Sequence, residues 1–328
     1  MRLSSASAKV EAGENHTIIR TARAWPVPSL QQKTTNEANM DVTRTTDFPP
    51  WLDAPVAFAD HKGNHKSRLE KRQRKLLAKL PQLAHFLEKD ERVHWLTTAC
   101  SPTPIFEQLT TGWIVFYINR ALLVVTDRRI LHVPATQSYD YRDSIAEIRY
   151  ADCRDIRIRG RNLTVRYGNG KREQFLFIAR AERHRIKQFF RDMRFEANPG
   201  KSGRQHMCPR CTGLLKAGTY TCPGCRLAFK EMGDAMKMSI WLPGGGYFYT
   251  RHPFLGIGDF VVEAFLIFNV ILFVTQAIES GDPAQWVTAG FFGFILIVEK
   301  LISIYHANRY IREYIPMEQP VKPQNTRA

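Results

Sequence analysis

The sequence predicts a multidomain chain with a disordered N-terminus, a small β-rich domain closed by a helix, a compact four-cysteine module and a two-helix membrane hairpin. Three observations lead to this fold class. Strand-like runs fill the middle of the chain, two tight cysteine pairs follow them, and two long apolar runs come last. With 328 residues and a net charge of +16, the composition excludes a collagen, a disulfide-stapled miniprotein and a wholly disordered protein.

Both ends of the chain are predicted to be disordered, over residues 1–60 and 317–328. The first 50 residues are rich in Thr, Ser, Asn, Gln and Pro without a sustained period. Such a segment cannot bury enough apolar surface to offset its chain entropy. It also lacks the apolar core of a secretory signal. Met40 precedes the first patterned stretch, so a translation start there is a hypothesis, which a native peptide from residues 1–39 would reject.

A basic amphipathic helix is predicted within residues 61–84. The run 66–80 carries seven Lys and Arg against one Glu, with leucines on one side. Such a helix can lie on an anionic membrane, contact nucleic acid phosphates, or pack its leucines on the neighbouring domain. The run contains no aromatic residues, which favours membrane contact or packing over nucleic acid. The candidate anion-binding residues are Lys66, Arg68, Lys71, Arg72, Arg74 and Lys75.

The only stretch long enough for a packed soluble core lies within residues 85–198. Its apolar and alternating runs predict about seven strands, and Gly168-Asn169-Gly170 is a typical hairpin turn. Ile186, Phe189, Phe190 and Met193 then form one stripe of a helix. The predicted strands are 113–119, 121–126, 130–133, 144–150, 153–158, 163–167 and 174–178.

The segment LLVVTDRRILHV, residues 122–133, resembles the strand–turn–strand motif of bacterial PH-like (bPH) and GRAM-like domains. The resemblance implies a β-barrel whose open end is plugged by the C-terminal helix, and binding of anionic lipid or of protein. The candidate residues are Arg157, Arg159 and Arg161, within a wider basic set that includes Arg142, Arg149, Arg154, Arg166, Lys171 and Arg172. The alternative is that these are simply solvated positions on the outer face of the strands.

The strongest motif is C-x2-C-x10-C-x2-C, formed by Cys208, Cys211, Cys222 and Cys225. Two such turns present four thiolates to one ion, which predicts a closed, structural Zn²⁺ site in residues 204–230. Four sulfurs already saturate zinc, so His206 is not expected to be a ligand. A redox role would need a thioredoxin-like context, which is absent. The segment resembles bacterial zinc-ribbon modules, which bind nucleic acid or protein or serve as spacers, with a strand–turn–strand hairpin between the cysteine pairs.

Residues 238–316 are predicted to hold a glycine turn and two transmembrane helices, at 260–278 and 286–305. The connection between them, 279–285, has no Lys or Arg, whereas Arg251 and Arg309 flank the pair, so both ends are expected in the cytosol. Together with the two spans, the stretch 241–258 resembles TM2-like membrane hairpins, although the acidic motif between their helices is missing here. That resemblance implies an anchoring role.

Two charged residues, Glu263 and Lys300, lie at matching depths in the two predicted spans, about four and five residues from their cytosolic ends. They are predicted to pair across the hairpin. One interpretation is an intramembrane ion or proton site; the favoured one is a neutralised pair near the interface.

No nucleophile–base–acid grouping, phosphate-binding glycine loop or open metal site is visible, so we expect a protein that is not an enzyme. The order of the segments predicts a scaffold or sensor of the bacterial inner membrane, with its termini and soluble domains in the cytoplasm and a protein or anionic lipid as partner. The alternative is a membrane-tethered nucleic-acid-binding protein that uses the basic helix and the zinc ribbon.

Overall fold

The computed structural model of the chain describes residues 48–195 and 203–318. The expectations for residues 1–47 and 319–328, including the start at Met40, lie outside these ranges. The strands are β1 Val93–Cys100, β2 Arg120–Thr126, β3 Arg129–Pro134, β4 Ile145–Arg149, β5 Cys153–Arg159, β6 Asn162–Tyr167, β7 Arg172–Phe175 and β8 Gln205–Met207. The helices are α1 Ala54–Phe58, α2 Ser67–Leu77, α3 Leu83–Phe86, α4 Ile105–Thr111, α5 Ile114–Ile118, α6 Arg183–Asp192, α7 Met232–Trp241, α8 Gly245–Tyr249, α9 Pro253–Ser280 and α10 Pro283–Ile311.

The strands form two antiparallel sheets. The first has the order β1-β2-β3-β4-β8 and the second β5-β6-β7. A single antiparallel bridge between Cys100 and Leu176 connects the end of β1 to the residue after β7. Within the described ranges the strands form two sheets and not one closed sheet, so the predicted barrel is not confirmed.

The core has two halves, one on each face of the first sheet. Leu123, Val125 and Ile130 point to the second sheet and α6, where Phe175 and Phe190 lie. The alternate positions of the same strands face α1, α2 and α3 instead. Both faces are covered, which is why β2 reads as a continuous apolar run and not as an alternating one.

Two sequence predictions are wrong in this region. Residues 48–60 were expected to be disordered, but they contain α1, and Leu52 and Phe58 are buried in the core. The run 113–119 was expected to be a strand, but it contains α5, while β1 lies upstream at Val93–Cys100. A short apolar run fits a strand and a buried helix equally well by periodicity. The place beside β2 is taken by β1, which pairs with it along its whole length.

Helix α2 is part of the sheet domain and not a separate element. Leu76 packs in the core, and the Gln73 side chain both donates to the Leu96 carbonyl and accepts from the Leu96 amide, at 2.8 Å each. Gln73 therefore satisfies the backbone groups of β1 at the sheet edge, as a neighbouring strand would.

The two longest helices, α9 and α10, have 28 and 29 residues and are long and apolar enough to cross a membrane. Gly281 ends α9 with a left-handed φ of 65°. Asp282 then caps α10 by accepting from the Ala284 amide at 2.9 Å, and Pro283 occupies the first turn. A glycine after one helix and a capped proline at the start of the next are the local signals of a tight helical hairpin.

Candidate metal centre and basic surfaces

The four cysteines lie on two turns of the same design. In the first, the Thr212 amide donates to the Cys208 carbonyl at 2.9 Å and the Cys208 amide to the Gly213 carbonyl at 2.8 Å. In the second, Arg226 and Leu227 make the equivalent bonds with Cys222, at 3.0 and 2.9 Å. The backbone amides of the third and fourth residues of each turn also bond to the sulfur of its first cysteine. Burial raises the pKa of Cys208, and these backbone bonds act in the opposite direction, toward the thiolate form that binds metal.

The sulfur geometry fits a tetrahedral ion. The Sγ atoms of Cys208 and Cys225 are 3.5 Å apart, as are those of Cys211 and Cys222, and all four lie within 4.8 Å of one another. Four sulfurs each about 2.3 Å from a central zinc ion would be about 3.8 Å apart. None of the four is in a disulfide. The arrangement is compatible with a metal ion and provides four ligands without a position for water.

The predicted hairpin between the cysteine pairs is wrong. Each turn is instead closed by a bridge to its own flank, Met207 with Leu214 and Thr221 with Ala228. Strand β8 runs directly into the first turn and pairs with β4. Each cysteine turn is therefore closed locally, and the sheet domain supports the first turn.

The four-cysteine module is also attached to the end of the membrane hairpin. The Tyr314 ring packs with Phe229 and the buried cysteines, and its hydroxyl donates to the Lys216 carbonyl at 2.6 Å. Phe229 forms a bridge with Pro316. The His206 ring lies beside the Tyr314 ring, with the centroids 5.0 Å apart and the planes tilted by 41°. The module is thus held between the sheet and the chain that follows α10, and is not a free spacer.

An ion pair closes this junction. Arg204 Nη2 lies 3.1 Å from Glu313 Oε1, joining the segment before β8 to the residues after α10. Burial by itself would raise the pKa of Glu313, but the Arg204 guanidinium, with His206 and His132, outweighs it and holds that pKa at about 2. Glu313 is therefore ionised at neutral pH.

Replacing Glu313 by Gln is expected to destabilise the protein by about 3 kcal/mol at pH 7, because Arg204 keeps its buried charge and loses its nearest acidic partner. A carboxyl with a lowered pKa stabilises the folded state above its unfolded value near 4.5, and the stabilisation disappears as the pH falls toward 2. Denaturation of the full chain in detergent should show that the difference in free energy of unfolding between the variant and wild type becomes smaller as the pH falls from about 4.5 to about 2. Glu279→Gln, on an exposed side chain, should match wild type. A Glu313→Gln gap that does not depend on pH would contradict the role of the charge.

Of the three candidate arginines of the sheet domain, two lie on β5 and the third lies in the turn before β6. Arg157, Arg159 and Arg161 are all exposed. Arg157 lies 2.8 Å from Asp155, and Arg161 lies over the Phe177 ring, 5.6 Å from its centroid. Arg157 lines an open cavity of about 550 Å³, together with Arg154, Asp155, Arg166, Tyr167, Gly170 and Arg172.

A second cleft, of about 460 Å³, continues from this face to the end of α10. Arg172 belongs to both cavities. The other cationic residues of the cleft are Lys171, Arg204, Arg309 and Arg312, alongside the acidic Glu173 and Glu313. Arg142 and Arg149, from the wider basic set, line neither of these two cavities. Arg142 donates to the Arg251 carbonyl at 3.1 Å, and Arg149 pairs with Glu88 and Glu147.

The basic residues of α2 do not form one uniform surface. Arg72 turns inward to the buried Glu182, at 2.8 Å, and Arg74 pairs with Glu70 at the same distance. Lys66 lies 3.8 Å from Asp60. Arg68, Lys71 and Lys75 are exposed. Half of the predicted set therefore has an acidic partner within the chain.

The charged pair of the hairpin is close. Lys300 Nζ lies 2.6 Å from Glu263 Oε2 and donates to the Ser239 carbonyl at 2.7 Å. Sequence reasoning missed two further carboxylates beside it, Asp259 and Glu299, which lie within 4.8 Å of Glu263. Asp259 and Glu263 are four residues apart on α9, and this spacing on an otherwise apolar helix was the available signal.

Comparison of the chain with protein-family models, with curated proteins and with solved structures finds no match in any of the three. The PH-like, zinc-ribbon and TM2-like resemblances therefore rest on the sequence motifs.

Proposed function

We propose that the protein is a non-catalytic, membrane-anchored scaffold or sensor of the bacterial inner membrane. Helices α9 and α10 cross the bilayer, the four cysteines hold a structural zinc ion, and the sheet domain faces the cytoplasm. The observation that carries the proposal is a basic surface formed by two cavities that share Arg172. It runs from the outer face of β5–β7, where arginines predominate, to the base of the hairpin, where Glu173 and Glu313 lie among the cations. Its ligand is the anionic headgroup of lipids in the same membrane.

The PH-like assignment is supported by the order of elements. A four-strand antiparallel meander, a three-strand antiparallel meander and a C-terminal helix follow one another as the resemblance implies. Ile186 and Phe190 of that helix belong to the core between the sheets. The fold alone does not determine the ligand, since similar folds serve many functions.

The charges of the basic face support an anionic ligand. Four arginines and one aspartate line the cavity on the second sheet. Within residues 48–195 and 203–318, Arg157 pairs with Asp155, whereas no salt bridge engages Arg154, Arg166 or Arg172. Cationic side chains near an anionic leaflet each contribute about 1 kcal/mol to attraction. Three arginines without an acidic partner therefore give this face a useful affinity for phosphate groups.

The test compares the full chain in lipid nanodiscs that are either neutral or anionic. Hydrogen exchange of β5–β7 is expected to slow several-fold in the anionic discs, and the double variant Arg166→Glu/Arg172→Glu should lose that difference. Lys187→Glu/Arg191→Glu, on the exposed side of α6, has the same net charge and should retain it. Equal exchange in the two lipids would overturn lipid binding and leave an acidic protein segment as the ligand to be sought.

Nucleic acid is the competing ligand. It would require α2 as a phosphate-binding surface, whereas Arg72 and Arg74 are already paired. Salt-dependent retention of duplex or single-stranded DNA by the full chain, lost in the α2 variant Lys71→Glu/Lys75→Glu, would favour that function over the lipid one.

A further inference from the structure

Helices α4 and α5, inserted between β1 and β2, expose an apolar stripe. Ile105, Leu109 and Trp113 are 75%, 78% and 76% exposed. Ile105 and Leu109 lie one turn apart on the same side of α4. Trp113 follows Gly112, whose left-handed φ of 62° ends α4, and it lies at the start of α5. Large apolar side chains grouped on a surface usually mark a site that another apolar phase covers.

The opposite side of α4 is fastened to α10 by polar contacts. Glu107, fully buried, pairs with Arg309 at 2.6 Å, and the Thr110 hydroxyl lies 3.0 Å from His306 Nε2. A helix on the surface of a soluble protein buries its apolar side and exposes its polar side. Helix α4 has the reverse arrangement, which suits a helix whose surroundings are apolar.

The contacts with α10 fix the position of the stripe along the axis of that helix. The rings of Phe106 and Tyr305 pack edge to face, with centroids 5.0 Å apart. Tyr305 ends the apolar run 286–305, and Arg309 lies about 6 Å further along the helix. The stripe is therefore next to the turn at which α10 leaves its apolar segment, and it continues the exposed apolar surface of that segment, to which Leu301 belongs.

A second, independent element lies at a similar level. Helix α7 ends with Ile240 and Trp241, which are 52% and 86% exposed. The preceding carbonyl, of Ser239, accepts from Lys300 Nζ at 2.7 Å. Lys300 is five residues before Tyr305, about 7.5 Å along the helix axis. The end of α7 is therefore also beside the last turns of the apolar segment of α10.

We propose that these two elements form a collar that inserts into the leaflet next to the sheet domain. The collar consists of Ile105, Leu109, Trp113, Ile240 and Trp241, and its occupant is the headgroup and upper acyl region of the lipids. The inference rests on the proposed membrane anchoring and adds a function to it. Contacts on separate elements hold the domain at a defined height and tilt, so that the basic surface stays against the headgroups.

The test uses the full chain in vesicles, with lipids brominated near the headgroup end of the acyl chains, which quench only tryptophans in contact with them. The chain has six Trp. The fluorescence of a single tryptophan is the difference between wild type and the variant that lacks it. Four variants are needed: Trp113→Phe, Trp241→Phe, Trp286→Phe and Trp51→Phe. The fluorescence contributed by Trp113, Trp241 and Trp286 is expected to be severalfold lower in brominated vesicles than in the same vesicles without bromine. The fluorescence contributed by Trp51 is expected to be the same in both.

The outcomes separate the collar from the anchor. Quenching of the Trp286 contribution without quenching of Trp113 and Trp241 would overturn the collar and leave the anchor intact. Absence of quenching at Trp286 as well would overturn the anchoring itself. If Trp113 is shielded from aqueous iodide yet not quenched by brominated lipid, a protein surface covers the stripe, and the collar proposal is wrong.

Discussion

Replacing Cys208 and Cys222 by serine is expected to abolish metal binding and to unfold the four-cysteine module in the full chain. Wild type should contain one zinc ion per chain. Each substitution removes one of the four ligands. The loss should be large, because the apparent binding free energy of structural zinc sites is about 10–16 kcal/mol in small peptides. Metal analysis of the purified protein and limited proteolysis of residues 203–230 measure the two effects.

The damage should extend to the base of the hairpin, because Tyr314 packs on the module and Phe229 bridges to Pro316. We expect faster proteolysis of 312–318 in the same variants, while β5–β7, which contributes no residue to that cluster, stays resistant. A metal-free wild type with a stable module would contradict the assignment of zinc.

The matched control is Cys100→Ala together with Cys153→Ala. Both thiols are buried away from the cluster, and burial raises the pKa of each to about 12, so they are inert at neutral pH. These variants should lose some stability through the small cavities they leave but keep the full zinc content. Loss of zinc in the control would show that the effect of the first variant is not specific to the ligands.

The second large effect is expected from Gly245→Ala in the glycine turn before the hairpin. A Cβ at residue 245 would collide with the Met238 carbonyl oxygen, which belongs to the backbone of α7. A backbone atom cannot rotate away, so α7 and α8 must separate. Overpacking typically costs about 1–3 kcal/mol, and a clash with backbone should reach the upper end of that range. Thermal unfolding of the full chain in detergent measures the loss.

Gly258→Ala is the control for this prediction. Gly258 lies within α9, and a Cβ there would meet no atom within 4 Å. Alanine is a better helix former than glycine, so this variant should be as stable as wild type or slightly more stable. Equal stability of the two alanine variants would show that α7 is not packed against the turn as described.

Local patterns of the sequence predicted several features of this protein. The cysteine spacing predicted the four-sulfur cluster, because two C-x-x-C turns each bring a pair of sulfurs together within four residues. The long apolar runs predicted α9 and α10, and the alternating and apolar runs predicted β2 to β6. Each of these features depends on neighbours a few residues away, so the signal is contained in the sequence itself.

Contacts between distant residues decided the rest. The run 113–119 contains helix α5, and β1 takes the place beside β2 instead. Arg72, one of the candidate anion-binding residues, pairs with Glu182, 110 residues away along the chain. The four-cysteine module is tied to the sheet and to the end of the hairpin through β8 and Tyr314. These outcomes follow from which surfaces meet when the chain folds, and spacing along the sequence carries no information about that.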